Sequence, residues 1–413
     1  MAVTSFDSKL QVAAAGTGTQ KPALILLGVL YFMMGFITCL NDTLVPFFKT
    51  GFELNYAESS LVQFYFFVTY AIMSVPAGRI VERIGYKKGM VLGFAIAGLG
   101  AFLFLPASWW HRYELFLGAL FILALGIVLL QVAANPYITL LGKPETASSR
   151  LTLIQGIGSI GTTVAPLFGA HFILSRMGTR VTGSTLTAPY LGIGLTLVLI
   201  AVAVSLLALP RIATGQTARD EAGAGQRLFA FRNLKFGVIA IFMYVGAEVA
   251  IGTFLTNYIA DLLSIKEHAA NSYVAFYWGG MLAGRLMGAA LLKVVKPQQV
   301  LVVAALTAGG FIVTSILTSG MLAVWMMIAV GICNSVMFAI IFSLAVKGLG
   351  SYTTRASGLL STAIVGGAVV PYFCGVLVDS ASWVWGFLLV LCCYLYLVFY
   401  GVSGYKARLK TTG

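Results

Sequence analysis

The sequence predicts an all-α membrane protein of twelve transmembrane helices arranged as two pseudo-symmetric six-helix bundles. Three observations predict it: a composition that water cannot solvate, twelve apolar stretches of spanning length, and a second half that echoes the first. Of 413 residues, 59% are hydrophobic and only 9% are charged, and the mean hydropathy is +0.95. A soluble domain carries about 25% charged residues, so lipid must be the surrounding solvent. Crossing a bilayer takes roughly 20 apolar residues as a helix. The stretches must be helices, because a lone strand leaves its backbone groups unpaired in hydrocarbon. The 46 glycines fit, since small residues let membrane helices approach closely.

The elements follow in chain order. Residues 1–22 are a polar tail without a cleavable signal pattern, which makes the first span an uncleaved insertion signal. A first bundle, 23–210, holds spans near 23–48, 59–80, 88–106, 114–141, 151–175 and 187–209. Residues 211–235 are rich in Gly, Ala and charge, and read as a flexible linker. A second bundle, 236–404, holds spans near 236–260, 271–293, 298–318, 321–347, 355–378 and 382–404, and 405–413 form a short tail.

A net charge of +13 raises the question of a nucleic-acid partner. Its distribution answers otherwise. Both termini, the linker and the even-numbered loops hold 21 of the 26 basic residues; the other loops hold only Lys49, Arg112, Arg176, Arg180 and Lys266. Basic loops stay on the cytoplasmic side. The charge is therefore a topology signal that places both termini in the cytoplasm, and no nucleic acid is implied. The five cysteines and three histidines show no metal-ligand spacing. No nucleophile–base pair or phosphate loop is present, so neither an enzyme, a cofactor nor an ATP-driven pump is expected.

The halves repeat. Gly126, Arg150, Gly161, Pro166 and Phe168 recur 205 positions later as Gly331, Arg355, Gly366, Pro371 and Phe373. Ala77-Gly78-Arg79 recurs 206 positions later as Ala283-Gly284-Arg285. Transporters built from two such halves bind substrate near mid-membrane, between the halves.

Gly78-Arg-Ile-Val-Glu82-Arg83-Ile-Gly85-Tyr-Lys87-Lys88-Gly89 resembles the signature loop of the major facilitator superfamily, with Glu82 where Asp is usual. The resemblance implies the major facilitator fold. It also implies a cytoplasmic gate formed by Gly78, Arg79, Glu82, Arg83 and Lys87, with Gly284 and Arg285 as the echo in the second half. The plainer reading is a topology-setting basic loop. A narrower resemblance is to the fucose–proton symporter family, nearer its glucose/galactose transporter-like branch. It rests on Gly35-Phe-Ile-Thr-Cys-Leu-Asn41-Asp42-Thr-Leu-Val-Pro46, Gln131-Val-Ala-Ala-Asn135-Pro136-Tyr137, Tyr244-Val-Gly-Ala-Glu248, Asn334-Ser335-Val-Met-Phe338 and Ile364-Val-Gly366-Gly367-Ala-Val-Val-Pro371. Fucose permeases carry an acidic residue where Gln131 stands and an asparagine where Gly158 stands. Both departures point away from fucose itself.

Only Asp42 and Glu248 lie well inside predicted spans among the 13 acidic residues. An ionisable group in a membrane is a functional candidate, and burial favours the protonated form of a carboxyl group. Asp42 matches the family's first-helix aspartate. It is read as the cation-coupling residue, with a cap on a helix broken at Pro46 as the alternative. Glu248 is read as a cation-coupling or sugar-binding group, with pairing to a basic residue as the alternative, although no Lys or Arg at membrane depth lies near it in sequence. Sugars need many directional hydrogen bonds and an aromatic face to stack on. Asn41, Gln63, Gln131, Asn135, Gln155, Asn257 and Asn334 supply mid-span amides that either contact substrate or join helices. Candidate platforms are Tyr31, Phe64, Tyr65, Tyr137, Tyr244, Tyr277 and Trp278, with Trp278 and Tyr65 singled out among them.

With these features, the resemblance implies a secondary active symporter in a bacterial inner membrane, working as a monomer in the lipid bilayer. It takes up a neutral hexose such as glucose or galactose with a proton. Sodium coupling, an N-acetylhexosamine substrate and a small-molecule exporter of the same fold are the alternatives.

Overall fold

The computed structural model describes residues 20–52, 56–173, 184–210, 212 and 228–406, and all regular structure among them is helical. The first half contains α1 (Gln20–Gly51), α2 (Tyr56–Ile84), α3 (Tyr86–Trp110), α4 (Tyr113–Leu140), α5 (Ala147–Phe172) and α6 (Ser184–Leu206). The second contains α7 (Arg232–Leu263), α8 (Glu267–Leu291), α9 (Pro297–Leu317), α10 (Gly320–Asn334), α11 (Met337–Ala345), α12 (Thr353–Thr362), α13 (Gly366–Ser380) and α14 (Trp383–Phe399). The tenth predicted span is divided into α10 and α11 at Ser335 and Val336. The eleventh is divided into α12 and α13 by a 3-10 turn, Ala363–Val365. Eleven stretches of described residues are long and apolar enough to cross a membrane. The helix outside that set is α8, which has the length, at 25 residues; Arg285 and its Tyr, Trp and Gly residues lower its hydropathy.

Two expectations are corrected. The backbone of α1 runs unbroken through Pro46, so Asp42 lies inside a helix and has no local helix start to cap. At the other end of the linker, α7 begins at Arg232 rather than 236. Its first turn is anchored by Asn233, which is fully buried. The Asn233 amide donates to the carbonyls of Leu344 at 3.2 Å, Ala345 at 3.0 Å and Lys347 at 2.9 Å. Leu344 and Ala345 close α11 and Lys347 lies just beyond it, where the carbonyls of a helix end lack a full set of intrahelical partners. Asn233→Ala is therefore expected to cost about 1–3 kcal/mol, read as a lower melting temperature in detergent. An unchanged melt would show that the end of α11 is satisfied without it.

Contacts divide the chain into two compact units. The first comprises the described residues of Met1–Gly142, Ile157–Gly223 and Ser351–Thr362; the second comprises those of Lys143–Gly156, Ala224–Gly350 and Ala363–Gly413. Each unit thus contains a short segment from the other half of the sequence: α12 in the first, and the opening turns of α5 in the second.

The repeat has a packing cause. In the first unit, a Cβ on Gly161 of α5 would lie 3.0 Å from the carbonyl carbon of Phe32 and 2.9 Å from the nitrogen of Phe36, both on α1. In the second, a Cβ on Gly366 of α13 would lie 2.8 Å from the carbonyl carbon of Phe242 on α7. Both glycines let one helix backbone rest on another. The echo is not complete, because Gly126 packs on the backbone of α3 and Gly331 on that of α8. Gly158 belongs to the same α1–α5 contact, where a Cβ would meet the Tyr31 carbonyl oxygen at 3.1 Å.

Candidate functional site

In the first unit, the signature loop closes on α12. Gly78 permits the approach: a Cβ there would lie 3.4 Å from both the Gly358 Cα and the Thr354 carbonyl oxygen. Glu82, only 5% exposed, accepts a charge-assisted hydrogen bond from Arg355 Nε at 2.5 Å. Tyr86 and Thr354 share a hydroxyl–hydroxyl bond at 2.8 Å, and Ser357 donates to the Val132 carbonyl at 3.0 Å. Lys87 instead donates to the Ser205 carbonyl at 2.8 Å, while Arg79 and Arg83 are exposed. Of the predicted gate residues, Gly78 and Glu82 therefore make the contact with α12. Arg355, the cation that completes it, entered the sequence reading only as a member of the repeat.

The first unit also holds a pair of amides. Gln131 and Asn135 lie four residues apart on α4 and so share a face. Asn135 is buried; its Oδ1 accepts from the Tyr31 hydroxyl, and its Nδ2 has no partner. The Oε1 of Gln131 is likewise buried without a partner. Unpaired buried polar atoms are costly and mark a place where a ligand hydroxyl would be welcome. Asn41 and Asp42 lie on α1 and Gln63 on α2, but their side chains lie outside the described residues.

The second unit holds the richest cluster. Glu248 on α7 does have a cationic partner: Arg285 Nη2 lies 3.8 Å from Glu248 Oε1, with the Arg285 and Glu248 side chains 18% and 14% exposed. Sequence could not show this, because the partner is on α8. The cluster is braced from behind by tyrosines. Tyr277 donates to the Glu248 carbonyl at 3.3 Å and receives the Asn334 amide at 3.0 Å. Tyr394 donates to Asn334 Oδ1 at 2.7 Å, and Tyr244 to the Asn334 carbonyl at 3.1 Å. Asn334 is fully buried with both ends of its amide engaged. It is thus a brace at the break between α10 and α11 rather than an open sugar contact. Discontinuous helices of this kind build substrate sites in other transporters. Gly284 lets α8 reach that break, since a Cβ there would lie 2.8 Å from the Ser335 Cβ.

The same unit carries an exposed aromatic face. Trp278 is 46% exposed. It lies over Gly252 of α7, where a Cβ would come within 2.9 Å of the indole. Tyr277 meets Trp278 edge-on at 5.2 Å between ring centroids. Asn257 is exposed farther along α7, and Gln155 is half-buried in the α5 segment that belongs to this unit. The other platform candidates divide by burial. Tyr31, Tyr137, Tyr244 and Tyr277 are buried, which corrects their assignment as platforms, whereas Phe64 and Tyr65 are exposed. A ring face and hydrogen-bonding side chains are two kinds of contact that a sugar can use.

The chain is similar to known sugar transporters over most of its length. The chain is 46% identical over 399 residues to a glucose/galactose transporter of Brucella abortus, covering 95% of this chain and 97% of that one. It is 31% identical over 383 residues to the L-fucose-proton symporter of Escherichia coli, covering 86% and 87%. The crystal structure of the transporter FucP in the outward conformation superposes with a TM-score of 0.85 at 28% identity, covering 92% of this chain and 98% of that one. Residues 25–370 match the Major Facilitator Superfamily model. With its helical bundle, duplicated glycine contacts and signature loop, the chain belongs to the Major Facilitator Superfamily.

Proposed function

We propose that this chain is a secondary active transporter that carries a neutral hexose, such as glucose or galactose, together with a proton by alternating access. The observation that carries the reading is the near full-length 46% identity to a glucose/galactose transporter. Proton coupling is supported by the similarity to an L-fucose-proton symporter. The side chains agree with a neutral sugar: Trp278 offers a stacking face, the Glu248–Arg285 pair has no net charge, and Gln131 and Asn135 hold unpaired amide atoms.

Asp42 is assigned the coupling proton. A carboxyl group inside an apolar helix can load a proton on one side and release it on the other. Glu82, held by Arg355, is assigned to the latch that opens and closes during the cycle. The protein sits in the bacterial inner membrane with both termini cytoplasmic, as the basic loops direct, and works as a monomer.

Uptake of labelled D-galactose and D-glucose into liposomes tests the reading, with a proton gradient in one arm and a sodium gradient in the other. Proton-driven accumulation is expected in the wild type. Asp42→Asn is expected to lose accumulation while retaining sugar exchange. Accumulation with sodium alone would replace the ion, and no exchange of either hexose would overturn the substrate.

A further inference from the structure

A chain of hydrogen bonds runs through the buried core of the second unit, and its direction is fixed. It ends on the main-chain carbonyl of Glu248, which can only accept. The Tyr277 hydroxyl therefore donates to it, at 3.3 Å. A hydroxyl has one proton, so the Tyr277 oxygen is left to accept from the Asn334 amide, at 3.0 Å. That turns Asn334 Oδ1 toward Tyr394, which donates at 2.7 Å. Tyr244 donates to the Asn334 carbonyl at 3.1 Å and so holds the same residue from α7. Tyr277, Asn334 and Tyr394 are all buried. Turning any member round would leave a buried donor or acceptor unpaired, which is costly. One arrangement of protons thus ties α14, α10, α8 and α7 together.

The chain ends where Trp278 is seated. Glu248 and Gly252 are four residues apart on α7, the spacing at which a helical carbonyl faces an N–H. Tyr277 takes hold of that turn at the Glu248 carbonyl. Trp278, the next residue, lies over its other end: a Cβ on Gly252 would come within 2.9 Å of the indole. The two rings meet edge-on at 5.2 Å between centroids. Tyr277 is also packed against α10, since a Cβ on Gly331 would lie 2.5 Å from the Tyr277 carbonyl oxygen and 2.9 Å from its ring. Tyr277 and Trp278 share one stretch of α8 backbone, so a shift of the first moves the second. One ring is clamped in the core and the other is 46% exposed.

We propose that Asn334 and Tyr394 are positioning residues for Trp278: acting through Tyr277, they set where the indole stands on α7 and so how closely a sugar ring stacks on it. Neither touches the sugar. Tyr394, on the last helix, thereby contributes to affinity for a ligand it does not meet. Stacking tolerates little displacement, because a gap of about 0.5–1 Å forfeits a quarter to a half of a dispersion contact. This assignment rests on the transport reading, with Trp278 as its stacking face.

Equilibrium exchange of D-galactose and D-glucose in liposomes tests it, with the sugar-dependent change in tryptophan emission as a second readout. Tyr394→Phe removes one hydroxyl and keeps the ring. It is expected to raise KM about fivefold, the size of one hydrogen bond, with little change in maximal rate and a smaller emission change. Trp278→Phe is expected to raise KM about tenfold, the size of one aromatic contact, and to abolish the emission change. Because Tyr394 acts through Trp278, Tyr394→Phe/Trp278→Phe is expected to show the KM of Trp278→Phe and no more. Tyr277→Phe is expected to match Tyr394→Phe; where it fails to fold, Tyr394→Phe carries the test alone. A lower melting temperature with wild-type KM in Tyr394→Phe would leave the chain a brace only and overturn the proposal. KM effects that multiply in the double variant would place the action of Tyr394 elsewhere and overturn it too. Wild-type KM in Trp278→Phe would remove the stacking face, and the proposal with it. Absence of exchange of either hexose by the wild type would instead overturn the transport reading.

Discussion

Gly366→Val and Gly161→Val are each expected to abolish recovery of folded protein. At both positions even the first added carbon falls on a neighbouring helix backbone, with closest carbonyl carbons at 2.8 Å for Gly366 and 3.0 Å for Gly161. Backbone cannot rotate away as a flexible side chain can. The branched valine adds two more carbons to the same space. Overpacking costs about 1–3 kcal/mol, and more where it falls on backbone that cannot move aside, a large part of the stability of a typical domain. The checks are yield of a monodisperse species in detergent and its melting temperature. Gly192→Ala is the control, since nothing lies within 4 Å of an added Cβ there. Recovery of Gly366→Val with an unshifted melt would mean that α7 and α13 do not pack at this distance.

The second large effect concerns the Glu82–Arg355 pair proposed as the latch. Arg355→Gln is expected to lower hexose uptake at least tenfold, because it leaves Glu82, 5% exposed, without its cation. Removing one partner of a buried pair costs about 3–5 kcal/mol; Arg355 is 29% exposed on its side chain, so solvent screening reduces this. Glu82→Gln/Arg355→Gln is expected to recover part of the loss, with a coupling of about 1–3 kcal/mol in a double-mutant cycle on stability. Additive effects of the two single changes would show that the pair does not act as one unit.

The membrane class, the twelve spans and the duplicated glycines were legible in the chain. Hydrophobic length is a property of consecutive residues, and a repeat is visible wherever the same contact is made twice. Gly161 and Gly366 are the clearest case: one offset in sequence corresponds to one kind of helix contact in each unit. Candidate polar residues were legible for a similar reason, since an amide or carboxylate within an apolar stretch needs a partner.

What each of those residues does was not legible. Glu82 finds Arg355 across 273 positions. Asn334 is held by tyrosines 57, 60 and 90 positions away. Glu248 has no cation near it in sequence, yet Arg285 of the next helix lies beside it. Tyr277 and Trp278 are neighbours in the chain, but one is buried against Asn334 and the other is 46% exposed. A helix turns about 100° per residue, so adjacent side chains point in different directions and only packing decides which of them meets a partner. The sequence by itself determined that this protein crosses the membrane and which side chains must be explained. The tertiary structure decided which of them are buried braces, which form ion pairs and which remain exposed, because those placements depend on the facing of helices that the linear chain does not record.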